Sequence, residues 1–385
     1  MDLWFFFTEC RELYKEMTEE RSTNSHLSVA MTMDGVDETQ TVTGNTMTSS
    51  SSSDVQFYFR CAVVVIGVMG TAGNGLILYA LVAAKQHKKH PLIVNQNALD
   101  LFASFFLVVS YAVQLCNIHY TGTLGYWLCI TLHSELFAKC GLFGSRVNIA
   151  AIAVERYLKV VHSAWAKKKL RRWMICSAMA FAWLFGILFL TTIMFETSGL
   201  QDGICYDLRY MSTDLYMGLI IWFLLSFYVI IFTICIFCYG RILVAIRRQA
   251  RVMAAHSAAG PNTSQTHQFN QIQTNAIKTM IFVSGLYIIC HLPHVFLYLD
   301  VIVSPNLRRS HSVYEASWFL QFFYVTANPF IYAVQFDPVK NVLKGMIHSR
   351  MTAWFIHVMS RVTATGNRTT SAPNDQELAD MRARK

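Results

Sequence analysis

The feature that most limits the fold of this chain is a set of long apolar windows. Seven of them, at about 58–84, 93–117, 129–158, 173–194, 215–240, 275–300 and 313–335, approach or exceed the roughly 20 residues a helix needs to cross a bilayer. The chain is 54% hydrophobic and only 14% charged, whereas a soluble protein carries about 25% charged residues. Its mean hydropathy of +0.35 agrees with a membrane composition. No stretch of the chain repeats with the period of a solenoid. The predicted fold class is an all-α membrane protein, a bundle of seven transmembrane helices.

Charge placement predicts the topology. Lys85, Lys88 and Lys89 follow the first window, and Lys159, Lys167, Lys168, Lys169, Arg171 and Arg172 follow the third. Arg241, Arg247, Arg248, Arg251 and Lys278 bracket the loop between the fifth and sixth, and no acid interrupts any of these loops. The alternate loops are neutral or acidic, with Glu196, Asp202, Asp207 and Asp214 against Arg209. The positive-inside rule then puts the N-terminus outside and the C-terminus in the cytosol. The net charge of +9 follows this topology and is not a nucleic-acid signal.

The ends read differently from the bundle. Residues 1–56, with the run Ser49 to Ser53, predict a disordered external tail. The bundle then covers 57–337, and the loop 241–274 is expected to be mobile. Over 338–349, Val339, Val342, Leu343, Met346 and Ile347 recur on one face, with Lys340, Lys344 and Arg350 on the other. That pattern predicts a short amphipathic eighth helix on the inner membrane surface. Residues 350–385 read as a disordered cytoplasmic tail, in which Thr363, Thr365, Thr369, Thr370 and Ser371 could accept phosphate.

Polar residues inside the windows mark candidate sites, because intramembrane charges usually face the bundle interior. Asp100 lies well inside the second window, with Asn74, Ser145, Asn148 and Asn328 as polar neighbours from other windows. Such a cluster could hold a hydrated sodium ion, or serve only as a network that locks the helices. Glu135, Lys139 and Arg146 recur at spacings of four and seven, which puts them on one helical face. The Glu135–Lys139 pair could line a ligand cavity or snorkel to the outer interface. Arg146 precedes Arg156 by about 15 Å of helix, near mid-membrane. Facing lipid there would cost roughly 2.5–3.5 kcal/mol on insertion scales, so Arg146 should point inward, towards Asp100 or towards His291.

Three further patterns stand at window ends. Glu155-Arg156-Tyr157 closes the third, Pro293 interrupts the sixth within Cys290-His291-Leu292-Pro293, and Asn328-Pro329-Phe-Ile-Tyr332 ends the seventh. A proline inside a helix predicts a kink, hence a moving part. Tyr239 places a phenol at the inner end of the fifth, and Trp183 in the fourth reads as packing. Of the ten cysteines most fall inside windows. Cys129 and Cys205 sit on the oxidising outer side, where they could bridge or stay as thiols, with Cys10 as a competing partner.

Together these residues resemble a rhodopsin-like (class A) G-protein-coupled receptor over roughly residues 57–350. The resemblance implies a switch built from Glu155, Arg156, Tyr157, Tyr239, Pro293, Asn328, Pro329 and Tyr332, and a Cys129–Cys205 disulfide. No His/Glu zinc spacing and no Gly-x-Ser-x-Gly elbow occurs, so no enzyme activity, cofactor or metal is expected. Implied partners are an extracellular ligand, a heterotrimeric G protein, arrestin, receptor kinases and membrane lipid, at the plasma membrane, and no nucleic acid. The chain departs from the pattern in places. His291 stands where a tryptophan is usual, Ile231 replaces the fifth-helix proline, and Cys129 lies about two residues too far from Arg156. Tyr324 and Val325 leave a sodium site incomplete. Ala138 stands where amine receptors carry an aspartate, and no lysine between Lys278 and Lys340 could hold retinal. Glu135, Lys139, His291, His294, Trp318 and Gln321 instead resemble the polar cavity of a peptide receptor. The alternatives are a non-peptide small-molecule ligand and a seven-span transporter, which would show inverted repeats that are not seen here.

Overall fold

The structure is a computed structural model that describes residues 46–116, 118–201, 203–207, 213–257, 264–304 and 311–346. The first span is Thr46–Ala83 and the second Pro91–Leu115. The third comprises Gly122–Leu128, a π-helical turn Cys129–His133 and Leu136–Val161. The fourth is Arg172–Thr197. The fifth comprises Thr213–Phe223, a π-helical turn Leu224–Val229 and Ile230–Ser257. The sixth is Ser264–Val303 and the seventh His311–Gln335. The first six contain windows apolar and long enough to cross a membrane. The seventh is diluted by Gln321, Thr326 and Asn328, all buried, and packs against the sixth and first spans.

Burial decides which span is central. In the third, 67% of the most apolar window is buried, against 17% in the fourth. The third therefore forms the axis and the fourth leans on it with most of its surface towards lipid. Large apolar side chains such as Leu188, Ile236, Phe282 and Ile289 point outward, while Asn74, Asp100, Asn148 and Asn328 are fully buried. Lipid tails are as apolar as leucine, so small residues and polar contacts bring the helices together. A Cβ on Gly186 would lie 2.6 Å from the Cys140 carbonyl oxygen, and one on Gly141 2.9 Å from the Ala103 nitrogen. These glycines let the second and fourth spans approach the third backbone to backbone.

Several local features differ from the sequence expectations. Helical backbone reaches back to Thr46, into the stretch read as a tail, because a nucleated helix extends at one hydrogen bond per added residue. For the same reason the fifth and sixth helices run on to Ser257 and back to Ser264 through the segment read as a mobile loop. Gly260-Pro261-Asn262 lies outside the described residues. A short helix, Ser163–Lys169, follows the third span. The all-α bundle carries one small hairpin in a loop: β1 (Ser198–Gln201) pairs antiparallel with β2 (Ile204–Asp207), with Leu200 opposite Cys205. Gly203 adopts φ +75 in the turn between them, which a side chain would strain. Residues 337–346 form a helix after a break at Phe336, and the rest of the expected 338–349 segment lies outside the described residues.

The two π turns answer two of the departures. The fifth span has Ile231 in place of proline, yet its helix loosens over Leu224–Val229. The Tyr287 hydroxyl donates to the Phe227 carbonyl at 3.0 Å, satisfying an acceptor inside that turn. In the third span the π turn is followed by Glu135 in the left-handed region, at φ 60. The extra residues between Cys129 and Arg156 are taken up there. Glu135 and Lys139 therefore do not belong to one unbroken helix, as their spacing had suggested.

Candidate functional site

The end of the bundle carrying the hairpin is closed by a disulfide. Cys129 and Cys205 are bonded, with Cα atoms 5.5 Å apart, which ties β2 to the start of the third span. Replacing either cysteine with serine is expected to reduce ligand binding and surface delivery severalfold, and the double mutant should be no worse than either single one. Radioligand binding and surface labelling read this directly, and additive losses would show two independent roles.

Below the hairpin opens a cavity of about 220 Å³, lined by Arg60, Tyr111, Glu135, Lys139, Glu315 and Trp318 among others. Lys139 Nζ donates to the Ser134 carbonyl at 2.8 Å, lies 4.0 Å from Glu135 and sits 5.9 Å from the centre of the Trp318 ring. The break at Glu135 is why the predicted pair is held at arm's length. Of the residues predicted to bind ligand, Glu135, Lys139 and Trp318 line this cavity. His291, His294 and Gln321 lie deeper.

Beneath Trp318 the chain gathers buried polar groups. The His294 ring packs on Trp318 at 4.8 Å, and its Nδ1 bonds Ser317 Oγ at 2.8 Å. His291 donates from Nδ1 to the Tyr287 carbonyl at 2.7 Å and packs between Tyr287 and Tyr324. Arg146 donates from Nη2 to Gln321 Oε1, and its guanidinium lies 4.3 Å from the Phe143 ring and 5.6 Å from the Tyr228 ring. Of the two directions open to Arg146 in the sequence, the structure takes the one towards His291 and not Asp100.

Asp100 is ringed by donors. Ser145 Oγ donates to it at 2.6 Å, Asn328 Nδ2 at 2.9 Å and Gln96 Nε2 at 3.2 Å. Gln96 also donates to Ser145 and accepts from Asn148 Nδ2 at 2.8 Å. Asn148 thus reaches Asp100 only through Gln96. Asn95 donates to Asn148 Oδ1 at 2.9 Å and accepts from Trp183 Nε1 at 2.9 Å, so Trp183 hydrogen-bonds as well as packs. Asn74 donates to the Val325 carbonyl at 3.2 Å, pinning the first span to the seventh. Gln96 was missed from the sequence, although its i, i+4 spacing to Asp100 was a readable signal.

At the opposite end, Glu155 turns to Lys159 Nζ, at 2.5 Å, and lies 3.6 Å from Arg156 Nε. Arg156 Nη2 donates to His90 Nδ1 at 2.9 Å. His90 precedes the second span and packs edge-on against Phe336 at 5.7 Å. Burial, and then the charges of Arg156, Lys159 and Lys89, lower its pKa from 6.5 to about 3, which keeps the ring neutral and able to accept. Nothing in the sequence singled out His90, since only the packing of second on third span brings it to Arg156. The Tyr157 hydroxyl bonds His162 at 3.0 Å. Tyr239 and Tyr332 are buried nearby, and among the described residues the Tyr332 hydroxyl has no hydrogen-bond partner.

Residues 73–332 match the 7 transmembrane receptor (rhodopsin family) profile, well over half of the chain. The chain belongs to the rhodopsin family of seven-transmembrane receptors. It is therefore a multi-pass membrane receptor that couples an extracellular ligand to a G protein, and not an enzyme. It is 23% identical to the melatonin receptor type 1B of Rattus norvegicus over 79% of this chain and 78% of that protein. It is 26% identical to the lysophosphatidic acid receptor 3 of Homo sapiens over 77% of this chain and 83% of that protein. A melanopsin of Podarcis siculus matches at 30% over 32% of this chain and 26% of that protein.

Proposed function

We propose that this receptor sits in the plasma membrane with its N-terminus outside, and that the cavity above Trp318 receives one end of a peptide. The observation that carries this reading is the lining. Glu135 and Glu315 face the same space as Arg60 and Lys139, with Tyr111 and Trp318 as apolar walls. A peptide end brings a charged terminus together with side chains of either kind, and such a mixed lining suits it. Arg156, Tyr239 and Tyr332 form the switch at the cytosolic end, and Pro293 lets the sixth helix swing. An agonist works only through its differential affinity for the two packings. The basic loops meet the G protein and anionic lipid. The helix from 337 lies on the membrane surface. Arrestin and receptor kinases engage the tail, which is outside the described residues.

A second reading is favoured by the relatives, named for melatonin and lysophosphatidic acid, and by the modest cavity of about 220 Å³. On that reading the ligand is a small non-peptide molecule. A panel of peptides, amines, melatonin and lysophosphatidic acid applied to expressing cells, with G-protein dissociation as readout, separates the two. A response to a peptide that is lost in Glu135→Gln or Lys139→Gln supports the peptide reading. A response confined to non-peptide members overturns it.

A further inference from the structure

Among the described residues, the charge of Arg146 has no counter-charge and its neighbours leave polar atoms unused. Arg146 is 2% exposed, and none of the ion pairs among the described residues includes it. Its side-chain hydrogen bonds go to neutral groups, the Gln321 amide and the Tyr228 phenol, and the Phe143 and Tyr228 rings pack against it. A buried cation is tolerated when it is both paired and hydrogen-bonded. Arg146 is only partly hydrogen-bonded, because its Nε has no partner.

The neighbours are unsatisfied in a complementary way. Gln321 spends its carbonyl oxygen on Arg146, which leaves its Nε2 hydrogens without an acceptor, and the residue is fully buried. Ser317 Oγ donates to the Tyr314 carbonyl at 2.7 Å, so towards His294 it can only accept. His294 Nδ1 therefore carries the ring proton, and its buried Nε2 presents a lone pair with no partner. Arg146 and His294 share the Tyr228 ring, at 5.6 Å and 6.3 Å, so these groups occupy one region. Two unused donors beside a guanidinium are the complement of a small anion. An anion there would accept from Arg146 Nε and Gln321 Nε2.

We propose that Arg146 and Gln321, with His294 beside them, form a binding site for a small anionic group, a carboxylate carried by the ligand or a free anion from solution. Trp318 both lines the cavity and packs against the His294 ring, so it stands between the cavity and this cluster. The ligand-borne source rests on the peptide reading above; the free-anion source does not.

Two measurements decide the matter. In the first, the purified full-length chain in lipid nanodiscs is unfolded thermally while sodium chloride or sodium acetate replaces sodium gluconate at constant ionic strength. A ligand that binds only the folded state raises the midpoint in a saturable manner. The free-anion source predicts a rise of several degrees in wild type that disappears in both Gln321→Leu and Arg146→Gln. In the second, matched peptides ending in a free carboxylate or in its amide are compared for G-protein activation. The ligand-borne source predicts at least about tenfold preference for the acid, about 1.4 kcal/mol, erased in Gln321→Leu. A salt effect that persists in both variants, or no salt effect together with no acid preference, overturns the proposal. If no peptide activates the receptor, the peptide reading fails and the salt titration alone decides.

Discussion

Arg156→Ala is expected to cut agonist-driven nucleotide exchange by at least about tenfold, equivalent to about 1.4 kcal/mol of lost activation, while surface expression stays near wild type. Arg156 is held against His90 and Glu155, and the phenols of Tyr239 and Tyr332 lie buried close by. A guanidinium released from His90 is a donor from which those phenol oxygens can accept. Its removal therefore leaves the folded bundle intact and strips the active packing of its contacts. Exchange measured on membranes with purified G protein checks this, and full coupling in Arg156→Ala would reduce the triplet to a helix end.

His90→Ala is expected to do the reverse and raise ligand-free exchange several-fold. A hydrogen bond to a charged group contributes roughly 1.5–3 kcal/mol when buried, and less where solvent reaches it, as it does in part here. Losing that bond biases the two-state equilibrium towards the packing in which Arg156 is free. His90→Ala with Arg156→Ala should fall silent again, because the freed group is gone. A pH signature follows with a definite sign. The locked packing holds His90 neutral, with its pKa lowered from 6.5 to about 3 first by burial and then by Arg156, and a ring freed from both would move back towards 6.5. The locked state thus binds fewer protons, so the lock is at full strength above pH 6.5 and weakens as pH falls from 6.5 towards 3. The cations facing the ring are Arg156, Lys159 and Lys89, and each would oppose its protonation. Basal exchange should rise on acidifying the cytosolic face below 6.5 in wild type, and stay flat in His90→Asn, which offers an acceptor that does not titrate. An identical pH profile in both proteins would remove His90 from the lock.

Much of this receptor was legible because its signals are local or one-dimensional. A window's length and apolarity select a membrane helix whatever lies beside it. The triplet, Asp100, Asn328-Pro329 and the two cysteines were found because each breaks an apolar or neutral surrounding. Their family likeness gave their order along the chain a meaning. Loop ends were the weakest part: helices ran on at Thr46, Ser257 and Ser264, where composition alone suggested coil.

What the sequence determined by itself was therefore the membrane bundle, its outer disulfide pair and the presence of a buried arginine. What only the tertiary structure decided was who meets whom. Arg146 had two inward directions with similar chemistry, and the rotation of the third helix against the seventh chose Gln321 over Asp100. Arg156 found His90, and Asn148 was separated from Asp100 by Gln96, through packing of the second span on the third. Hydrogen bonds and charge pairs act over a few ångströms, and that distance is fixed between helices whose spacing in the sequence carries no information about their facing.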